Sequence, residues 1–144
     1  MIKRPVHSDF QRLLDFKSGE LIQLYNGVRS LILNLCPECN ELLYHTHALT
    51  SVYSLSEKLS DAFCMIPIYT NHLNLGFNKG NLLEDSNRLL KGTGNLIRHV
   101  EVKTATDFEK PEVADLILEA IAFAKTEMTK PSKFEGKTFS KIKI

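Results

Sequence analysis

The chain contains no tryptophan and only three cysteines among its 144 residues. Three is an odd number and too few for a disulfide-stabilised scaffold, so these cysteines favour a reducing compartment. No uninterrupted apolar run approaches the roughly 18 residues of a membrane-spanning helix. The first residues, from Met1 to Pro5, also lack the apolar stretch of a secretory signal. A cytoplasmic protein without a membrane span is therefore expected.

The overall charge is close to neutral, but its distribution along the chain is uneven. Hydrophobic residues make up 43% of the chain and charged residues 24%, which is typical of one globular domain. Residues 129–144 carry five lysines against one glutamate, whereas the preceding part is acidic. We therefore expect a domain over residues 7–128 and a basic C-terminal tail over 129–144. The tail is either disordered or docked on the domain through Phe134, Phe139, Ile142 and Ile144.

Three segments have the apolar spacing of helices. A short helix is expected near Ser8, with Phe10 facing inward. The clearest helix runs from Leu21 to Leu35, because its apolar residues recur every three or four positions, and it should stop before Pro37. A last helix should begin at Pro111 and end before Pro131.

The middle of the chain has the alternating pattern of β-strands. Five short runs are expected to be strands: 41–46, 51–56, 62–69, 72–77 and 97–103. Their polar connections favour antiparallel neighbours. The predicted fold class is α+β: a two-layer sandwich in which an antiparallel sheet of about five strands carries the N-terminal and C-terminal helices on one face. The opposite face should be partly open to solvent.

A glycine-rich segment begins in the fourth predicted strand and runs into the fifth. It reads Leu-Gly-Phe-Asn-Lys-Gly at 75–80, Gly-Thr-Gly at 92–94 and Arg-His-Val at 98–100. This pattern resembles the signature of the YdhG-like domains, a family of small bacterial proteins with a frataxin-like fold. The resemblance implies that fold over residues 10–128. It also implies a role described for some members, as intracellular iron chaperones that supply iron–sulfur cluster and haem assembly proteins.

The outer face of the last predicted helix carries a row of carboxylates. Glu112, Asp115 and Glu119 are three and four residues apart, so their oxygens lie on one side of the helix. Such oxygens can bind iron or another divalent cation. Acidic residues near a helix N-terminus and a polar outer face are also expected without any metal. With the family resemblance, this row is the predicted metal site and iron the predicted cofactor.

Cations and imidazoles flank the glycine-rich segment and suggest a second kind of site. Lys91 and Arg98, with Arg88 and the backbone around Gly92, could bind a phosphate or carboxylate. His72 and His99 should lie on the open face of the sheet, where they could contact a ligand or a partner. We therefore predict a ligand or anion site formed by Lys91, Arg98, His99 and His72. A purely structural role of the glycines is the alternative.

A third constellation combines soft and borderline metal ligands. Cys36, Cys39, His45 and His47 follow one another within twelve residues, and such side chains can bind zinc or ferrous iron. The spacing is not that of a known zinc finger, so metal binding by these residues stays an open hypothesis.

The sequence contains no pattern typical of a catalytic nucleophile or of a nucleic-acid-binding motif. We therefore expect a protein that is not an enzyme and does not bind nucleic acid. The main hypothesis is iron binding and delivery. The alternative is a small-ligand or protein-binding module that uses the open sheet face. A homodimer is expected if that face proves apolar.

Overall fold

The computed structural model describes residues 4–143. It contains three α-helices and six β-strands. The helices are α1 (Ser8–Leu14), α2 (Gly19–Leu35) and α3 (Pro111–Glu127). The strands are β1 (Asn40–His45), β2 (Leu49–Ser54), β3 (Ala62–Ile68), β4 (Leu73–Phe77), β5 (Arg98–Val102) and β6 (Thr138–Ser140). Within 4–143, no helix is long and apolar enough to cross a membrane.

The predicted α+β class is confirmed, and the sheet differs from the predicted antiparallel sheet of about five strands by one additional strand, which is parallel to its neighbour. The strands form one sheet in the order β5-β4-β3-β2-β1-β6. β1 to β5 are antiparallel neighbours, whereas β6 pairs with β1 in parallel. The sheet is therefore mixed and has six strands.

The additional strand comes from the basic C-terminal segment. Thr138 lies opposite Glu41, and the Ser140 hydroxyl donates to the Asp9 carboxylate over 2.7 Å. Farther upstream, the Asn40 side chain bonds to the backbone at Phe134 and Lys137. These bonds hold the segment against β1 and α1. Residue 144 of the predicted tail lies outside the described residues.

The helix boundaries follow from local chemistry. The Ser18 hydroxyl accepts a hydrogen bond from the amide of Leu21 and so caps the start of α2. α2 ends at Leu35, two residues before Pro37, as predicted. Pro111 occupies the first turn of α3, where its missing N–H costs nothing.

Side chains alternate in direction along each strand, so the sheet has a helix face and an open face. Side chains such as Leu43, Tyr53 and Leu75 belong to the same buried cluster as residues of all three helices. On the other face, Leu42 of β1, Val52 of β2 and Ala62 of β3 form a small second cluster, against which Phe139 of β6 packs. Those three cluster residues are at most 3% exposed. Tyr44, Met65 and Phe139 pack around them and stay partly exposed on the open face.

A hydrogen-bonded polar network crosses the main core. The Arg29 guanidinium of α2 forms a bidentate pair with the Glu41 carboxylate of β1, at 2.7 and 3.0 Å. The Tyr53 hydroxyl donates to the same carboxylate over 2.8 Å, and the Ser51 hydroxyl links Tyr53 to Tyr25. All five residues are buried. Because every charged group has a partner, the network fastens α2 to the sheet without an isolated buried charge.

The glycine at position 27 in α2 allows Phe108, which lies just before α3, to pack closely against α2. A Cβ atom at Gly27 would lie 2.6 Å from the buried Phe108 ring. Gly27→Leu should therefore overpack the core and lower the free energy of unfolding by about 1–3 kcal/mol. Gly19 has no atom within 4 Å of its ideal Cβ, so Gly19→Leu should change stability by at most about 0.5 kcal/mol. Urea unfolding measures both, and equal losses would contradict the packing account.

Candidate ligand-binding site

The open face between β4 and β5 carries polar side chains in register. Asn74 lies opposite Glu101, and Gly76 lies opposite His99. Because side chains alternate along a strand, Lys103 shares the face of His99 and Glu101. The space that a side chain at Gly76 would take is filled by Met65, whose side chain lies 2.9 Å from an ideal Cβ there. The apolar neighbours on both strands point to the core instead. This pattern produces a polar surface at one end of the sheet.

These residues line a cavity of about 400 Å³, which is within the usual size range of small-molecule sites. We call it the open-face cavity; its lining residues are Asn71, His72, Leu73, Asn74, His99, Glu101, Val102 and Lys103. The His72 ring stacks on Tyr69 with 4.8 Å between the ring centroids. The stacking supports the His72 ring at one wall of the cavity.

The charged side chains at the open-face cavity carry a net positive charge. The Glu101 carboxylate lies 3.6 Å from the Lys103 ammonium and 3.7 Å from that of Lys91. One carboxylate therefore faces two ammonium groups, all on well-exposed side chains whose mutual attraction is weakened by solvent. The surplus positive charge is available to an incoming anion.

One buried polar atom of the cavity wall has no hydrogen-bond partner among the described residues. The Oδ1 atom of Asn74 is buried and accepts no hydrogen bond from the described residues. Buried polar atoms in folded proteins nearly always have a partner, and an unmatched one costs about 1–3 kcal/mol. The Asn74 amide therefore has unused hydrogen-bonding capacity beside the cavity.

The backbone of β5 is fixed on its outer side. The His99 N–H and C=O pair with the C=O and N–H of Lys91, at 2.9 and 2.8 Å. This short bridge covers part of the edge of β5 and holds the His99 main chain in place. It also brings Lys91 next to the cavity, where its ammonium reaches Glu101.

The structure brings together three of the four residues predicted for a ligand or anion site. His72 and His99 line the open-face cavity. Lys91 lies at its rim, where its ammonium pairs with the Glu101 carboxylate. Arg98 lies elsewhere. Its guanidinium donates to the carbonyls of Gly94 and Ile97, and it lines a separate cavity of about 450 Å³ together with Arg88.

Gly80 has a structural role that involves Arg98. An ideal Cβ on Gly80 would lie 2.5 Å from the Cβ of Arg98. Only glycine permits this approach between the connection and β5. The position thus matches the structural alternative for the glycine-rich segment.

The predicted acidic row lines a smaller cavity. Glu112, Asp115 and Glu119 surround about 170 Å³ together with Asp85. The Glu119 carboxylate accepts hydrogen bonds from the amides of Glu84 and Asp85, at 2.5 and 3.4 Å. The Asp85 carboxylate in turn accepts from the amides of the residues at 89 and 90. Two of the four carboxylates therefore hold the connection between β4 and β5.

The predicted cysteine and histidine ligands are separated by the length of β1. Cys36 and Cys39 are buried before the strand begins, whereas His45 and His47 are exposed at its far end. Six residues of extended strand span roughly 20 Å. Across residues 4–143, no group of three or more His, Cys, Asp or Glu side chains is placed to hold a metal ion.

Sequence reasoning did not select Lys103 and Asn74 as ligand residues. Strand alternation places both on the face of His99, so their position was predictable. Their participation depends on the cavity formed where β4 meets β5, which no local pattern describes.

No family model, curated protein or solved structure matches this chain. Its function must therefore be inferred from the arrangement of its side chains.

Proposed function

We propose that the protein is a binding module that holds a small anionic molecule in the open-face cavity. The observation that carries the proposal is the convergence of His72, His99 and Lys103 on one cavity of about 400 Å³. Imidazole and ammonium groups donate hydrogen bonds to carboxylate or phosphate oxygens. The surplus positive charge around Glu101 favours the same class of ligand.

The proposal is supported by the absence of a competing internal use for these groups. The side chains of His99 and Lys103 form no hydrogen bond with another described side chain beyond the weak ion pair of Lys103 with Glu101. By contrast, Arg98 is occupied by backbone carbonyls. The open-face cavity therefore retains donors that a ligand can use.

Calorimetric titration of the full chain with succinate and with inorganic phosphate tests this function. Saturable binding of at least one anion is expected. Lys103→Ala should weaken that affinity about tenfold, because a hydrogen bond to a charged group contributes about 1.5–3 kcal/mol. His99→Ala should weaken it by a similar factor.

The matched control for the lysine variant is Lys125→Ala. Lys125 is exposed on α3, so its removal changes the net charge equally without touching the cavity. Unchanged affinity of Lys125→Ala is expected. An equal loss in both lysine variants would show general charge attraction and would overturn the site.

Iron binding and delivery is the second candidate function. It is supported by the sequence resemblance to the YdhG-like domains. Glu112, Asp115 and Glu119 line one cavity, but within residues 4–143 they are not already arranged around a common metal position. Membership of that family is itself a proposal, which the α+β fold and the motif at residues 75–100 support. Iron–sulfur cluster or haem assembly proteins would then be the partners.

Anaerobic titration with ferrous iron tests the second candidate. Wild-type protein should bind saturably, and the variant Glu112→Gln/Asp115→Asn should lose at least tenfold in affinity. Glu109→Gln, on an exposed residue before α3, is the control that keeps wild-type binding. Absence of saturable binding, or binding that the double variant leaves unchanged, would remove the acidic row from consideration.

A further inference from the structure

The connection between α2 and β1 brings two thiols together. Cys36 and Cys39 enclose a four-residue turn in which the Cys39 amide donates to the Cys36 carbonyl over 3.1 Å. In such a turn the first and last Cα atoms lie within about 7 Å of each other. Disulfides usually join Cα atoms about 4.4–6.8 Å apart. The turn therefore brings the two Cα atoms into the distance range of a disulfide.

Both side chains of the turn are buried in the main core cluster. The Cys36 Sγ donates to the Glu38 carboxylate over 2.8 Å. Cys64, on β3, belongs to the same buried cluster, so it is the competing thiol.

Both ends of the chain hold this turn from outside. The Arg4 guanidinium donates to the carbonyls of Pro37 and Cys39, each over 3.0 Å. The Gly136 amide donates to the Glu38 carbonyl over 2.9 Å. These contacts restrict the turn from both sides, which reduces the conformational freedom lost when the sulfurs are linked.

We propose that Cys36 and Cys39 form a reversible intrachain disulfide with a low-molecular-weight disulfide, such as oxidised glutathione, as the oxidant. One protein sulfur attacks the oxidant, its proton leaves, and a mixed disulfide forms with release of one glutathione thiol. The second protein sulfur then displaces the second glutathione. Two protein thiols are oxidised, and one oxidant molecule is reduced to two glutathione thiols.

The surroundings of the pair make this reaction slow and selective. The neighbouring Cys39 thiol and burial raise the pKa of Cys36 above its ordinary value, and the adjacent Glu38 carboxylate acts in the same direction. Because the thiolate is the attacking form, oxidation should follow prolonged exposure to the oxidant and not brief contact. Burial also raises the pKa of Cys64.

Equilibration of the folded full chain in glutathione buffers tests the proposal directly. After acid quenching, denaturation and alkylation, trypsin places Cys36 and Cys39 in peptide 30–58 and Cys64 in peptide 59–79. As the buffer becomes more oxidising, peptide 30–58 should increasingly be found without alkyl groups. Its mass should then be two hydrogen atoms below that of the reduced, unalkylated peptide. Peptide 59–79 should stay fully alkylated. In urea the same bond should need a buffer about tenfold or more oxidising, because unfolding separates the thiols.

Three outcomes would overturn the proposal: peptide 30–58 alkylated at both cysteines in every buffer, a cross-link to peptide 59–79, or mixed glutathione disulfides alone. Cys64→Ala is the matched control and should form the bond at the wild-type ratio. Cys36→Ser should leave Cys39 without an intrachain partner. The peptide map of the wild-type protein decides the result even if a variant fails to fold.

Discussion

Replacement of Arg29 by methionine is expected to lower the free energy of unfolding by about 3–5 kcal/mol, because it leaves the buried Glu41 carboxylate without its partner. The carboxylate keeps two hydroxyl donors, Tyr53 at 2.8 Å and Thr138 at 3.4 Å. Arg29 also donates to the backbone carbonyls of Arg4 and Pro5, so those bonds are lost as well. Urea unfolding at neutral pH measures the loss.

The double variant Arg29→Met/Glu41→Leu distinguishes the contribution of the ion pair to stability from the cost of leaving one buried charge unpaired. Both charges are then replaced by apolar groups of similar size, which in other buried pairs is often neutral or stabilising. The double variant should therefore be more stable than Arg29→Met alone. Additive losses would show that Arg29 and Glu41 do not act as a pair.

The protein is expected to lose stability steeply in alkaline solution. Burial and the nearby Glu41 carboxylate raise the pKa of Tyr25 and Tyr53 above the ordinary value of about 10. The folded state therefore favours the neutral phenols, whereas the unfolded chain ionises near pH 10. Stability is fully present below that pH and falls as the pH rises above it. The slope is about 1.4 kcal/mol per pH unit for each tyrosine, or roughly 2.7 for both.

Urea unfolding at a series of alkaline pH values checks this slope. Tyr25→Phe should reduce it by about half, because one of the two buried phenols is gone. The variant also loses the hydrogen bond to Ser51, which lowers stability at all pH values without changing the slope. A slope identical to that of the wild type would contradict the role of Tyr25.

Periodicity predicted the elements whose pattern is local. The end of α2 before Pro37 and the start of α3 at Pro111 follow from backbone chemistry within a few residues. Strands β4 and β5 alternate clearly between apolar and polar residues. β6 could not be found in this way, because three residues contain too little pattern and their partner β1 is about a hundred residues away.

The buried charges show a second limit of local reasoning. Arg29 lies four residues after Tyr25 and three before Ile32, so it falls within the apolar stripe of α2. Glu41 alternates with Leu42 and shares the core side of β1 with Leu43. Each position alone therefore indicated burial. Their pairing could not be predicted, since it depends on how α2 crosses the sheet.

Part of the candidate site was predictable, because the alternation of side chains along a strand determines which face of the sheet each residue is on. His99 and Arg98 are adjacent on β5, so their side chains must point in opposite directions. A single site that contains both was therefore excluded by the strand geometry. His72 lies near His99 because β4 pairs with β5. The short connection near Asn71 joins β3 to β4, so it does not by itself determine that pairing.

The amide resonances that move when succinate or phosphate is added to isotopically labelled protein test the central claim most directly. Binding in the open-face cavity predicts concentration-dependent shifts confined to residues 71–74 and 99–103, with saturation at the calorimetric affinity. Shifts centred on the arginines of the 80–98 connection, or no saturable shifts with either anion, would contradict the assignment of this cavity as the binding site.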